Sequence, residues 1–299
     1  MNWITLSLAT ACLFSLRNMI IGGMTTLGFD GLYFFSTGSA LMSTSFFLYR
    51  KEWARLNNPL DINDREKTKV IARTWGNRFD YSSVALCLLA GFWQMLFYYS
   101  VVLAARASRL SGLNFGITTA IWSFIPFFVA IVERILYAVG IKPYQLLGIL
   151  MIVFMSILVS LSDLFGKESA KSVVVVGQYM PMYKAVLYSL IFPVVATAMT
   201  FIIKFANKTM RISSQDFAMS FQFIYSWVFL IVGIYQWSTH RVEFSWPHLI
   251  QGLIVGFCTS TGACVACKAL TIEGIPAGPV IAVMNSQIII NLIADCIIQ

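Results

Sequence analysis

Two stretches of the chain, Arg106–Pro126 (RASRLSGLNFGITTAIWSFIP) and Lys268–Gln287 (KALTIEGIPAGPVIAVMNSQ), spell one short phrase twice. At a shift of 162 residues Arg106 meets Lys268, Ala107 meets Ala269, Gly112 meets Gly274 and Gly116 meets Gly278. Farther along, Glu133 meets Asp295. A phrase kept in register over that distance implies a scaffold that uses it twice.

The surrounding composition narrows the kind of scaffold. Of 299 residues, 58% are hydrophobic and only 11% charged, with a mean hydropathy of +0.76. A soluble domain carries about 25% charged residues, so a chain this apolar is read as an integral membrane protein. The net charge of +8 does not indicate nucleic acid. Eight of the 21 basic residues, Arg50 to Arg78, fall in one polar segment between apolar runs, as in a loop that resists translocation. The six cysteines lie in apolar stretches and read as packing residues, Cys264-x-x-Cys267 included.

A bilayer core of about 30 Å takes roughly 20 residues of helix. That ruler predicts nine spans, near 3–22, 31–49, 82–104, 111–132, 143–162, 184–203, 216–237, 248–268 and 276–298. Strands of a membrane barrel would be about half as long and would alternate, so the expected fold is an all-α polytopic bundle. The opening MNWITLSLATACLFSL lacks a basic n-region and reads as the first span, not a leader. Basic residues favour a cytoplasmic N-terminus, with 14 on the inner connections and six on the outer.

The first copy of the phrase joins span three to span four, and the second joins span eight to span nine. Five spans is an odd shift, so the copies lie in opposite orientation, the construction of carriers whose halves rock about a central site. The expected units are residues 1–162, a connection at 163–183, and 184–299. The register places a partner for span five roughly six residues past Gln299, so a tenth span is expected to be missing from this sequence. Gly112/Gly116 and Gly274/Gly278 each read as a pair of glycines on one helix face, as do Gly252 and Gly256.

With these features the chain resembles the drug/metabolite transporter superfamily, in its EamA-like and nucleotide-sugar-transporter-related branches. The likeness is carried by ACKALTIEGIPAGPVIAVMNSQIII and by the stretch from AARASRLSGLNFG through Pro126, Glu133 and the later QLLG. The residue immediately before Glu133 is Val132, where the family pattern has a glycine. The resemblance implies ten helices in two inverted five-helix repeats, both termini cytoplasmic, and a central substrate site.

Polar residues inside lipid face a bundle interior or a watery cavity. Asn114, Thr118 and Trp122 share a face of span four with Pro126, and Gln287, Asn291 and Asp295 share one in span nine beside Asn285 and Ser286. Gln94 and Tyr98 pair in span three, Thr197, Thr200 and Lys204 in span six, and Gln222, Tyr225 and Ser226 in span seven. Arg17 is the one guanidinium within a span, two turns or less from its outer end and within snorkelling reach. Lys268 stands at a span end. Together with Lys204 these cations would draw an anionic or phosphorylated metabolite. Glu133, beside Arg134 at the end of span four, reads as one half of a solvated pair.

The expected function is a secondary carrier moving a small organic solute by alternating access; a non-transporting receptor or scaffold of the same fold is the alternative. Without a catalytic motif or ligand cluster, no enzyme, metal or cofactor is expected. The expected partners are the lipid bilayer and a small-molecule solute, an anion being one option, with no nucleic acid. A homodimer is left open, as is the choice between plasma membrane and endomembrane.

Overall fold

Lipid offers a backbone no water to bond, so a spanning segment must satisfy its N–H and C=O groups internally, as a helix does. The computed structural model describes residues 2–24, 31–57, 81–111, 121–138, 143, 146–151, 154, 180–210, 212–287 and 290, and every regular element among them is helical. The named helices are α1 (Trp3–Met24), α2 (Gly31–Asn57), α3 (Tyr81–Ser111), α4 (Ile125–Tyr137), α5 (Met182–Lys208), α6 (Ser214–Ser238), α7 (Trp246–Leu270) and α8 (Ala277–Met284). Five of them, α1, α3, α5, α6 and α7, are long and apolar enough to cross a membrane. Among the described residues the protein is all-helical, and its long apolar helices fit a membrane-embedded chain.

Hydropathy located the helices better than it located their ends. Helix α2 runs on to Asn57, past the expected limit at 49, because RKEWARLN is composed mostly of good helix formers and the breaker arrives only at Pro59. Helix α3 likewise continues through Arg106 to Ser111, past the expected limit at 104. The glycine pair Gly274/Gly278 does not share a helix face. Gly274 occupies a turn with φ +77°, a conformation suited to glycine, and α8 begins only after Pro276. Gly112 and Gly116 lie outside the described residues.

Helix α7 is the packing hub of the bundle, against α1 and α2 above all; α3 packs on α5 and α6, α2 on α6, and α4 on α8. The α2–α7 crossing is made by glycine. A β-carbon on Gly252 would strike the Phe34 carbonyl, one on Gly256 the backbone of Gly38 and Ser39, and one on Gly38 the backbone of Leu253. Small residues are what permit such approach where lipid supplies no hydrophobic drive.

Two ends of the bundle can be distinguished. At one, the α5–α6 and α7–α8 turns meet, with Ser214 Oγ 2.6 Å from Thr271 Oγ1 and Asn207 Nδ2 donating to the Ile212 carbonyl at 3.1 Å. At the other, Phe34 at the start of α2 meets Trp237, Phe244 and His248 around the α6–α7 turn. We refer to them as the Thr271 end and the Phe244 end.

Candidate functional site

The sites of interest begin where helices fail to continue. Ahead of α4, helical geometry at Ile121–Trp122 gives way to a turn at Ser123–Phe124 before the helix resumes at Ile125. Pro126 accounts for the break, since it has no N–H to offer the carbonyl four residues back and its ring crowds that carbonyl. Past α8, a second turn occupies Asn285–Ser286, where the Ser286 N–H reaches back only three residues to Val283. The two turns are separated by 162 residues, the shift that aligns the repeated phrase. The helices that carry them, α4 and α8, lie against each other; a β-carbon on Gly278 would sit 3.1 Å from Ala130 Cβ and 3.3 Å from the Pro126 carbonyl.

Arg17 lies beside this pair at mid-depth. Its guanidinium is turned toward the phenols of Tyr98 and Tyr225 and toward Cys258, the central residue of α7. That placement sets the guanidinium among groups of the bundle, one of the two positions that its distance to the span end allowed. Arg17 Nε and Nη2 donate to Asn18 Oδ1 at 2.9 and 2.7 Å, and the guanidinium lies 4.5 Å from the centre of the Phe14 ring. Asn18 Nδ2 in turn donates to Gln287 Oε1 at 3.3 Å, linking α1 to the second break. Among the described residues no carboxylate pairs with Arg17. A cation at such depth costs about 2.5–3.5 kcal/mol on insertion scales, and here its partners are neutral dipoles and a ring face.

The tyrosines are fixed from behind. Tyr225 is fully buried; its hydroxyl donates to Ser39 Oγ at 2.7 Å, and Ser39 Oγ donates to the Gly256 carbonyl at 3.3 Å. Tyr98 packs its ring 5.1 Å from that of Tyr225 and 5.5 Å from that of Phe35.

Around them lies a layer of buried polar groups with spare hydrogen-bonding capacity. Thr197 Oγ1, both amide atoms of Gln222, Thr259 Oγ1, Ser260 Oγ and Asn285 Nδ2 have no hydrogen-bond partner among the described residues. By contrast Thr200 and Ser220 satisfy their hydroxyls on the carbonyl four residues back, the usual resort within a helix. At 1.5 Å per residue these groups lie roughly 12–18 Å along their helices from the Thr271 end, close to the level of Arg17. Buried amides and hydroxyls left unpaired cost about 1–3 kcal/mol each. Trp237 Nε1, His248 Nδ1 and Gln251 Oε1, likewise without a partner among the described residues, lie toward the Phe244 end.

The remaining candidates divide by location. Gln94 is buried on α3, and Trp122 stacks its ring 4.5 Å from Phe192 beside the first break. Lys268 is exposed at the end of α7, apart from the mid-depth layer. Asn114, Thr118, Asn291 and Asp295 lie outside the described residues. Sequence reasoning passed over Asn18, Ser39 and Thr259; the run CTST at Cys258–Thr261 was the available signal for the last of these.

Glu133 corrects a second expectation. It does not form a solvated pair with Arg134 but is buried, 3% exposed, and ion-paired with the equally buried Lys204. Its other oxygen accepts the Ala277 N–H at 2.7 Å. Lys204 is therefore neutralised and not available as a free cation for an anion. Removing one member of such a pair costs about 3–5 kcal/mol, because a buried charge is left alone.

Comparison with models of known protein families and with curated proteins returned no match.

Proposed function

We propose that the chain is a secondary carrier that moves a small organic metabolite across a membrane by alternating access, binding it at the mid-depth polar layer. The observation that carries this reading is the pair of helix breaks at Ser123–Phe124 and Asn285–Ser286, related by the 162-residue shift of the sequence repeat. Interrupted helices in corresponding positions of two halves are the usual pointer to a transporter's binding site. The packing supports an inverted repeat. Exchanging α1 with α5, α2 with α6, α3 with α7 and α4 with α8 turns α1–α7 into α3–α5, α2–α7 into α3–α6 and α1–α8 into α4–α5, and returns α2–α6 and α4–α8 to themselves. The pairings of α7 with α6, α5 and α8, and of α5 with α6, have no counterpart of comparable extent among the described residues. Two inverted copies of one shape provide two similar minima, one open to each side.

Arg17 gives the site its charge. A guanidinium flanked by two phenols and by unpaired hydroxyls and amides suits a solute with a negative group and a hydroxylated or amide-bearing body. The test is uptake by the full-length protein in liposomes, screened against nucleotide sugars, phosphorylated sugars and amino acids. Saturable uptake of an anionic member, with exchange against the same solute loaded inside, is the expected result. Saturable binding with neither uptake nor exchange would favour a receptor and overturn the carrier.

A further inference from the structure

We propose that Glu133 is the latch that holds the Thr271 end closed, a role that rests on the carrier reading above. Three helices converge on its carboxylate. One oxygen takes Lys204 Nζ from α5 and the other the N–H of Ala277, the first residue of α8, while Glu133 itself belongs to α4. The partners stand 71 and 144 residues away along the chain, so the contact ties the first half of the molecule to the second. The carboxylate also meets the positive N-terminal end of α8, which favours an anion there.

The surroundings give the contact its two-state character. Toward the Thr271 end the polar layer rests on an apolar floor that includes Ile203, Ala206, Phe217, Cys267, Leu270 and Ala277. Apolar surfaces can part by degrees. An ion pair within them is either made and dry or broken and hydrated, since an unpaired charge is not tolerated in that medium. Hydrating Glu133 and Lys204 requires α4, α5 and α8 to separate, which opens a route from the Thr271 end to the mid-depth layer. Below the pair, Lys208 lies 5.4 Å from the centre of the Tyr137 ring, and Tyr137 stacks 6.1 Å from Phe201, closing the same α4–α5 seam. Arg134 is exposed, and Glu133 engages Lys204 and Ala277 instead.

Cys267 reports on this floor, being 1% exposed and part of the same cluster as Ala206 and Ala277. The experiment uses full-length protein in liposomes, with the other cysteines replaced, and a membrane-impermeant maleimide on both faces. Labelling rates are compared for the parent, Glu133→Gln, and Glu133→Gln with Lys204→Gln. The amide introduced by Glu133→Gln keeps an oxygen for the Ala277 N–H but loses the ion pair. The expected result is labelling at least tenfold faster in the single variant and still fast in the double one, with a cooperative thermal melt retained in both. An unchanged rate in Glu133→Gln overturns the latch. So does a return to the parent rate in the double variant, which would trace the effect to a stranded Lys204. Labelling that rises only with loss of a cooperative melt also overturns it, leaving a purely structural pair. The labelling rate needs no solute, so a failure of the latch and a failure of uptake are read in separate measurements.

Discussion

Arg17 and Gln222 are residues of different kinds whose substitutions separate binding from folding. Arg17 lacks a carboxylate partner among the described residues, which on the carrier reading leaves its charge to a solute. Replacing it with Gln removes a charge-assisted bond worth about 1.5–3 kcal/mol, and uptake of an anion is expected to fall about 10–100-fold. Uptake kinetics at equal protein density would measure it, and an unchanged KM and rate would exclude Arg17 from the site. Gln222 makes the complementary case, since it is fully buried with neither amide atom bonded among the described residues. Exchanging an unsatisfied buried amide for an apolar group of similar shape is close to neutral or stabilising. Gln222→Met is therefore expected to hold or raise the melting temperature while weakening solute binding, whereas a fall of several degrees would mean the amide serves the fold. At this scale the sequence was informative about which residues are polar within a span. It was silent on pairing. Glu133 next to Arg134 invites a local pair, yet consecutive helical residues do not face each other, and Lys204, 71 residues on, leaves no periodic trace.

At the scale of the element, the glycines and the proline were legible for different reasons. Gly252 and Gly256 repeat at helical spacing, and the close α2–α7 crossing uses both, against Gly38. Gly256→Leu is expected to abolish monodisperse folded protein in size-exclusion chromatography, because its side chain would occupy the space of the α2 backbone; a native profile would contradict this crossing. Gly274 misled because spacing reports a face only where a helix exists, and its φ of +77° belongs to the turn before α8. Pro126 marks the break at Ser123–Phe124 through a property any proline carries. The matching turn at Asn285–Ser286 has no proline within it, so it could be found only by register. Pro126→Ala returns an N–H to the helix. It is expected to leave the thermal melt unchanged or higher while slowing uptake at least tenfold, as a straightened span closes the site. Faster or equal uptake would show that the break is dispensable.

Across the whole molecule, the Thr271 end gathers more of the basic residues. Phe34 near the start of α2 lies at the Phe244 end, so α2 descends to Asn57 at the Thr271 end. Cys87 and Ala90, early in α3, pack with Phe217 and Ala218 in the floor cluster, so α3 starts from that same end. That end carries Arg50, Lys51 and Arg55 in the last turns of α2 together with Arg134, Lys208 and Lys268. The Phe244 end has Arg241 in its α6–α7 turn, Arg106 and Arg109 near the end of α3 and Lys184 in the first turn of α5. Since basic flanks resist translocation, the Thr271 end is predicted to face the cytoplasm, with the N-terminus of α1 beside it because Phe14 and Arg17 meet α7 at Gly262 and Cys258 in antiparallel order. Glu243 and Glu273 stand in the turns that flank α7 and are both exposed, which makes them suitable reporters. On a background without native cysteines, Glu243→Cys in sealed vesicles of one orientation is expected to react with an impermeant thiol reagent from the outside. Glu273→Cys should react only after permeabilisation. Labelling in the reverse order would invert the sidedness but keep the bundle, whereas labelling of both from one face would mean that α7 does not cross, and the carrier would fall with it.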